Sequence, residues 1–386
     1  MSDKQSNGSG KGPLSGIRVL DFSMFMAGPY ASRLLADGGA EVIKVEPPGG
    51  EFMRKSNPLR GAYSGFFGHL NCGKKCITLN LKDPRDLAVI HALMPSVDVV
   101  LENFRPGVTA RLGIHYDDLS KLRSDLVYCS VSGYGQTGPA AQLPAYAPII
   151  HAASGVDLSL TEYALGQDQP VPNRSTAADI LAATHAFGAI CAALVHRQRG
   201  GGGDYIDVSL MDTMYHMMGY EVQTAQIDNP PRPITFGPTK TRDGFIIIAP
   251  ISQLNFEALA RAAQHPEWLR DERFSTVQGR FVNWETMMAE VAKWAIQHDA
   301  DACVEALSRE GCPCTKYMTV AEAIAQPQAA HRGSLAEVED GWGRYRVPDS
   351  PFKFTKAEVK ARSWVAEIGQ HDEEVRAELN LPEKSA

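Results

Sequence analysis

The sequence predicts an α/β protein whose larger domain carries a mostly parallel, Rossmann-like sheet. Two observations lead to this fold class. The N-terminal part of the chain alternates short apolar segments, typical of buried strands, with segments of helical periodicity. The length of 386 residues also exceeds the usual size of a single hydrophobic core, so we expect a second, smaller α+β domain.

The strands and helices follow one another in β-α-β order. The first helix is expected at 28–37, closed by Gly38 and Gly39, and the next at 83–94, with Pro84 in its first turn. A long apolar helix contains Asp179 and ends at His196–Arg199, before a run of glycines. The predicted strands are 17–22, 40–46, 76–81, 97–101, 126–131 and 205–210. This order predicts a parallel sheet with helices on both faces.

Composition shifts divide the chain further. We expect a flexible tail at 1–12, a large domain at 13–224, a small α+β domain at 225–325 and a return to the large domain at 326–386. The proline-rich stretch 228–233 marks the linker. Within the small domain, 244–249 predicts a strand and 255–310 several amphipathic helices, whereas 372–379 predicts an exposed terminal helix.

Charge and cysteine content exclude several classes of function. The net charge of −7 argues against a nucleic acid or an anionic membrane as the main partner, and no run approaches a membrane span. Seven scattered cysteines are typical of reduced, cytoplasmic proteins. The pairs Cys72/Cys76 and Cys312/Cys314 lack a second pair of ligands, so no metal site is expected.

Familiar nucleotide and nucleophile motifs are also missing. No Gly-x-Gly-x-x-Gly follows the first strand, and neither a P-loop nor a Gly-x-Ser-x-Gly elbow occurs. Basic and amide side chains nevertheless follow strand ends, where open α/β sheets bind ligands. Each alone is typical of a solvated surface, but together they favour an anionic cofactor: Lys74, Lys75, Lys82, Asn103, Arg105 and Arg111.

Asp179 carries the only charge, histidines aside, between Arg174 and Arg197. An aspartate in a first helical turn usually satisfies free backbone N–H groups, and the segment alone favours such a cap. The alternative is a nucleophile in a water-poor pocket.

Two loops leave similar alternatives open. Gly133, Gly135 and Gly138 indicate either close approach to a ligand or an ordinary turn. Tyr146 is either a hydrogen-bond donor to a substrate carboxylate or a buried loop tyrosine.

Taken together, the segments resemble the class III CoA-transferase family of CaiB/BaiF type, whose relatives include formyl-CoA transferase, carnitine CoA-transferase and α-methylacyl-CoA racemase. The resemblance runs from about Leu14 to the C-terminus. Six pieces in the family's order carry it: LSGIRVLDF from Leu14, GAEVIKVE from Gly39, GKKCITLNLK from Gly73, ENFRPG from Glu102, SGYGQTG from Ser132, and the Asp179 helix leading to DVSLMD at Asp207.

This resemblance implies a role for individual residues. Asp179 would be the aspartate that is acylated, and Ala145 and Tyr146 would lie beside the thioester. CoA, used as an acyl-CoA co-substrate without a metal, would contact Met26, Ala27, Lys82, Asn103, Phe104, Arg105 and Arg111. The resemblance also implies a homodimer of interlocked, ring-like subunits with active sites between large and small domains.

Some positions depart from the family's pattern. Met26 replaces the glutamine of formyl-CoA transferase, which puts a formyl/oxalate pair in doubt, and Ala147 stands where many relatives are acidic. Racemases carry a histidine where Tyr146 stands, so racemisation should be poor. His151 and His185 do not match that position and are interpreted as structural.

The resemblance therefore implies CoA transfer from an acyl-CoA to a free carboxylic acid, dicarboxylates included, through an aspartyl anhydride and an aspartyl-CoA thioester. We expect the first helical turn to keep Asp179 ionised. Three alternatives remain: a racemase, a CoA-dependent dehydratase or hydrolase accessory protein, and a catalytically silent acyl-CoA-binding protein.

Overall fold

The computed structural model describes residues 12–163, 169–228 and 236–384. The predicted tail therefore lies outside the described residues except for Gly12, as does most of the predicted linker. The chain forms two compact units. Unit 1 comprises Met1–Gln226 and Gln328–Ala386, and unit 2 comprises Ile227–Pro327. The predicted small domain began and ended two residues earlier, at 225 and 325.

Unit 1 is built on a six-stranded sheet. Its strands from the first part of the chain are β1 Arg18–Asp21, β2 Glu41–Glu46, β3 Leu59–Arg60, β4 Tyr63–Ser64, β5 Lys75–Thr78, β6 Val99–Glu102, β7 Val127–Ser132 and β8 Asp204–Ser209. The large sheet has the order β5-β2-β1-β6-β7-β8, and its neighbouring strands all pair in parallel. The predicted parallel α/β sheet is confirmed, and β3 and β4 form a separate small ribbon.

Helices lie between the strands of unit 1 along the chain, and two more follow β8. They are α1 Ala27–Asp37, α2 Gly65–Asn71, α3 Pro84–Leu93, α4 Val108–Leu112, α5 Tyr116–Leu119, α6 Ala147–Ser154, α7 Val156–Tyr163, α8 Ala177–His196, α9 Leu210–Met217 and α10 Gly219–Thr224. Asp83 caps α3 by accepting a hydrogen bond from the Arg85 N–H, and Pro84 opens that helix as predicted. One core cluster lies between α1, α8 and the sheet, where small alanines let the helices pack closely.

Helix α8 is the apolar centre of unit 1. With the π-helical turn Arg197–Gly201 it is long and apolar enough to cross a membrane, so the prediction that no such run exists is wrong by length and composition. Packing inside unit 1 accounts for part of that composition, since 33% of the apolar window is buried. A stripe at helical spacing, Ala178, Ala182, Ala186, Ile190 and Leu194, is buried, and α8 packs against α1 and β7. A helix packed into a protein core can satisfy the same criterion as a membrane span.

The remainder of unit 1 comes from the C-terminal part of the chain, which supplies a hairpin and a terminal helix. The Asp372 carboxylate accepts hydrogen bonds from Thr78 at the end of β5, and the His371 Nδ1 accepts one from the Cys76 N–H. These contacts fasten the end of the chain to the edge strand of the sheet. The elements are β12 Leu335–Asp340, β13 Gly343–Pro348 and α17 Asp372–Glu378.

Unit 2 has its own hydrophobic core, formed by residues such as Phe256, Trp268, Val291 and Leu307. Its three-stranded sheet is antiparallel in the order β11-β10-β9, which fits the expected α+β class. The elements from Ile227 to the end of unit 2 and just beyond are β9 Thr239–Lys240, β10 Phe245–Ile248, α11 Gln253–Ala262, α12 Val277–Val282, α13 Trp284–Ala295, α14 Ala300–Glu310, β11 Cys314–Lys316, α15 Val320–Ile324 and α16 Pro327–Arg332.

Candidate active site

Two helices of unit 1 begin at the carboxyl edge of the large sheet. Helix α1 follows β1 directly, so its first residue, Ala27, lies at this edge. Helix α8 leads back toward the start of the parallel strand β8, so its last residues lie at the amino edge and its first turn at the carboxyl edge. Since α1 packs against α8, the predicted Met26–Ala27 loop and Asp179 lie on the same edge.

Asp179 is the third residue of α8 and does not cap it. The N-cap residue is Thr176, which makes no side-chain capping bond, and the Asp179 carboxylate has no hydrogen-bond or ionic partner among the described residues. Burial alone raises the pKa of Asp179 to about 6. The cap interpretation is therefore wrong. Burial, not stabilisation by the helix dipole, dominates this carboxyl, which is still mostly ionised at neutral pH.

The loop between β1 and α1 is held by Asn103, which directly follows β6. The Met24 N–H donates to the Asn103 Oδ1 at 2.8 Å, and the Asn103 Nδ2 donates to the Met24 carbonyl at 2.7 Å. From the other side, the Lys44 ammonium donates to the Ser23 carbonyl at 2.8 Å. Asn103, which is predicted to contact CoA, thus has a structural role, because it holds the backbone just before Met26 and Ala27.

Phe25 joins two of the predicted loops. Its φ of 63° lies in the left-handed region, which is rare for a bulky residue and needs support from its surroundings. Its ring contacts Tyr146 edge-on and Phe52 at a tilt, each with centroids 5.8 Å apart. Sequence reasoning missed Phe25, because neither the left-handed backbone nor the ring contacts leave a signal in a Met-Phe-Met stretch.

Tyr146 stands immediately before α6 and is 59% exposed, so its interpretation as a buried loop tyrosine is wrong. The preceding Ala145 packs against Gly133, which follows β7. A Cβ atom on Gly133 would lie 2.3 Å from the Ala145 Cβ, so this glycine is required by close packing. Gly135 and Gly138 adopt positive φ angles of 87° and 93° in the same loop.

The predicted basic residues fall into two groups. Lys82, Arg105 and Arg111 are exposed, and their side chains have no ionic partner among the described residues. Lys74 is buried and pairs with Asp21 at 3.1 Å, whereas Lys75 pairs with Glu41 and Glu374. The suggestion that Lys74 and Lys75 contribute to anion binding is therefore wrong, since internal carboxylates neutralise them.

Two of the three exposed cations, Lys82 and Arg105, are widely spaced along the sheet edge. Lys82 follows β5, whereas Arg105 follows β6, and three strand spacings separate these two strands. At about 4.8 Å per spacing, they are separated by roughly 14 Å of sheet edge. An elongated ligand with anionic groups spread along it would suit both positions.

Phe104 is partly buried against the second core cluster of the sheet, and its N–H donates to the Glu102 carboxylate at 2.8 Å. Glu102 is buried at the end of β6 and also accepts a hydrogen bond from Ser130. Burial raises the pKa of Glu102 to about 7. Glu102 thus holds the turn that carries Asn103 and Phe104, a role that sequence reasoning did not assign.

His151 and His185, the two histidines interpreted as structural, differ in their surroundings. His151 is buried in α6 and its Nε2 accepts a hydrogen bond from the Ala178 N–H at 3.1 Å. His185 is exposed on α8, where its Nδ1 lies 2.8 Å from the Leu181 carbonyl. Among the described residues, no group of three or more His, Cys, Asp and Glu side chains is arranged to hold a metal ion.

Comparison with known proteins identifies the family. Residues 14–372 match the model of CoA-transferase family III. The chain belongs to this family. The acetyl-CoA:oxalate CoA-transferase of Acetobacter aceti is 33% identical over 97% of this chain and 97% of its own. The succinyl-CoA–D-citramalate CoA-transferase of Chloroflexus aurantiacus is 34% identical over 95% of this chain and 94% of its own.

The fold agrees with this assignment. The crystal structure of a CaiB/BaiF family protein from Brucella suis superposes with a TM-score of 0.83, at 28% identity, over 96% of this chain and 100% of that chain. The chain is therefore a family III CoA-transferase that uses CoA thioesters. Met26, Ala27, Asn103, Phe104, Ala145, Tyr146 and Asp179 all come from elements that meet the carboxyl edge of the large sheet.

Proposed function

We propose that this enzyme transfers CoA from an acyl-CoA to a dicarboxylic acid, with Asp179 as the residue that carries the acyl group. The observation that carries the proposal is the state of Asp179. Its carboxylate is partly buried, has no protein partner among the described residues and has a pKa raised to about 6. An ionised but poorly solvated carboxylate without a partner is a better nucleophile than one held by hydrogen bonds.

The reaction needs four substitutions at carbonyl carbons. The Asp179 carboxylate attacks the thioester carbonyl, the C–S bond breaks, and CoA thiolate leaves a mixed anhydride. The thiolate then attacks the aspartyl carbonyl, which releases the donor acid and forms an aspartyl-CoA thioester. The acceptor carboxylate attacks this thioester and expels the thiolate again. Finally the thiolate attacks the acceptor carbonyl, which releases the new acyl-CoA and free Asp179. No water is consumed.

The CoA portion is assigned to the edge formed by β5, β2, β1 and β6. Exposed Lys82, Arg105 and Arg111 are suited to its phosphate groups, and the separation of Lys82 from Arg105 by roughly 14 Å of sheet edge fits an elongated ligand. Met26 and Ala27 meet the pantetheine arm, and Ala145 and Tyr146 lie beside the thioester. Arg105→Ala and Arg111→Ala are expected to raise the KM for acyl-CoA about tenfold, with a smaller effect on the KM for the acid.

A dicarboxylic acceptor is supported by the relatives, whose names specify oxalate and D-citramalate, and a glutarate enzyme of Agrobacterium fabrum is 31% identical. Met26 stands where formyl-CoA transferase has glutamine, which disfavours a formyl/oxalate pair. A panel of acyl-CoA donors against mono- and dicarboxylic acids, read by mass spectrometry, identifies the pair with the highest kcat/KM.

The test of the nucleophile is chemical trapping. The enzyme is incubated with acyl-CoA, treated with hydroxylamine or borohydride, and digested for peptide mapping. We expect the adduct on Asp179 and its loss, together with turnover, in Asp179→Ala. Asp212→Ala is the matched control, because Asp212 is also the third residue of a helix in unit 1 but is exposed. An adduct elsewhere, with Asp179→Ala still active, would contradict the proposal.

The same experiments separate the alternatives. A racemase would exchange the α-proton of acyl-CoA in deuterated water without any acceptor acid. A silent binding protein would bind CoA through the basic residues without turnover, and an accessory protein to a dehydratase or hydrolase would act only with a partner enzyme. Proton exchange without CoA transfer would favour the racemase and contradict the transferase mechanism at Asp179. Binding without turnover over the whole panel would favour the silent binding protein and contradict it as well.

We further propose a cytoplasmic homodimer. Unit 1 exposes large apolar side chains on α7, α9 and α10, including Leu158, Leu160, Tyr215 and Tyr220, and such groups favour burial in an interface. All seven cysteines are free, which suits a reducing compartment. Light scattering on the purified enzyme is expected to give twice the chain mass of 42.0 kDa, and a monomer at micromolar concentration would contradict the dimer.

A further inference from the structure

Helix α8 does not cap its own first turn. The N-cap residue, Thr176, makes no side-chain hydrogen bond to the helix, and the Ala177 N–H reaches only the Ser175 hydroxyl at 3.3 Å. The next N–H, that of Ala178, is buried inside unit 1. An unsatisfied N–H at this depth would be costly, so its partner matters to where the helix begins.

That partner comes from a different helix. The His151 Nε2 accepts the Ala178 N–H at 3.1 Å, across 27 residues of sequence, and the imidazole is only 2% exposed. The histidine therefore caps α8 from a different helix, α6, of the same chain. To accept at Nε2 the ring must be neutral and carry its proton on Nδ1, because an imidazolium has no free lone pair.

The contact links two parts of the site. Helix α6 begins one residue after Tyr146, and His151 lies just over one turn further along it. Helix α8 carries Asp179 immediately after the residue that His151 holds. This hydrogen bond thus ties the helix that follows the Tyr146 loop to the backbone of the nucleophile.

His151 does not act on the carboxylate directly. Burial is the one cause of the raised Asp179 pKa, and no charge or hydrogen bond from His151 contributes to it. Any effect of His151 on the reaction must therefore pass through the position of the α8 backbone. Reaction rates are sensitive to such positions, since a displacement of about 1 Å can cost on the order of a hundredfold.

We propose that His151 is a positioning residue for the nucleophile: by accepting the Ala178 N–H, it holds the first turn of α8 against α6 so that Asp179 meets the acyl carbonyl next to Tyr146. The proposal rests on the proposed role of Asp179 and goes beyond it, since it names the side chain that sets the geometry.

Three substitutions at His151 test the proposal. His151→Gln keeps an acceptor of similar reach, His151→Asn keeps the amide but is one methylene shorter, and His151→Leu has no acceptor. Each is assayed for kcat, for the KM of acyl-CoA, for the single-turnover rate of adduct formation at Asp179, and for thermal unfolding. His91→Leu is the matched control, because His91 is an exposed histidine on α3.

We expect His151→Asn and His151→Leu to lower kcat and the rate of adduct formation by about 10- to 100-fold. Gln should retain both to within about threefold, and the KM for acyl-CoA should change little in all variants. If Leu does not fold, the comparison of Gln with Asn decides. Folded Gln and Asn variants that are equally impaired, or a Leu variant that acylates at the normal rate, would overturn the role of His151. A wild-type enzyme that turns over without an adduct on Asp179 would instead overturn the proposed mechanism itself.

Discussion

The burial of Asp179 predicts that replacing it will stabilise the protein while abolishing activity. In Asp179→Asn the side chain keeps its shape but can no longer ionise. Burial raises the pKa of Asp179 from an ordinary 3.8 to about 6, a difference of roughly two units. At about 1.4 kcal/mol per unit, the ionised carboxylate lowers the free energy of unfolding by up to about 3 kcal/mol.

The sign and the pH window follow from the direction of the shift. Because the folded pKa lies above the unfolded one, the penalty is complete above about pH 6, shrinks as pH falls toward 3.8, and vanishes below it. Asp179→Asn should therefore be more stable than the wild type at pH 8, and the advantage should be mostly lost by pH 4. For a unit of this size the gain at pH 8 corresponds to an increase in Tm on the order of 5 °C.

The assay is thermal or urea-induced unfolding of the wild type and Asp179→Asn between pH 4.5 and 8.5. CoA-transfer activity is measured on the same two proteins. Asp212→Asn provides the control, since Asp212 occupies the same helical position but is exposed. An Asn variant that is less stable at pH 8, or a difference that does not change with pH, would refute the reasoning. A less stable variant would mean that Asp179 makes stabilising contacts in the folded state. A pH-independent difference would mean that the cost of desolvating its charge does not set the difference in stability.

Three further predictions concern the surroundings of the site. Glu102→Gln should raise the free energy of unfolding at pH 8.5 by up to about 3 kcal/mol but by little at pH 4.5, because burial raises the Glu102 pKa to about 7. Urea unfolding at both pH values measures this, and a pH-independent difference would contradict it. Asn103→Ala should raise the KM for acyl-CoA about tenfold, since both hydrogen bonds to Met24 are lost, and steady-state kinetics with normal KM would argue against that role. Gly133→Ala should destabilise unit 1 by about 1–3 kcal/mol because its Cβ would meet Ala145 at 2.3 Å, and an unchanged Tm would show that the loop yields freely.

The sequence predicted the fold because regular patterns encode it. Apolar runs and the Asp83-Pro84 start placed β5 and α3 to within three residues at each end, and glycines marked the end of α1. The length and composition of α8 were also visible. Length and composition could not show whether such a helix lies in a protein core or in a membrane, because helices of both kinds can have the same hydropathy.

The site was less predictable, since it depends on contacts between distant segments. The family resemblance singled out Asn103 and Tyr146 as ligand contacts. The clamp of Asn103 on Met24 spans 79 residues, and the bond from Ala178 to His151 joins two helices. Neither leaves a periodic pattern. Lys74 shows the opposite error, because a basic residue near a strand end suggests a phosphate contact until its buried partner Asp21 is seen.

The most direct test of the central claim follows a single oxygen atom. If Asp179 forms both anhydrides, the oxygen with which it attacks leaves with the donor acid, and one oxygen of the acceptor remains on Asp179. Turnover with an acceptor acid labelled with ¹⁸O, followed by digestion and mass spectrometry, should place heavy oxygen on the peptide that contains Asp179 and none on the peptide that contains Asp212. Complete turnover with an unlabelled Asp179 peptide would contradict the covalent mechanism.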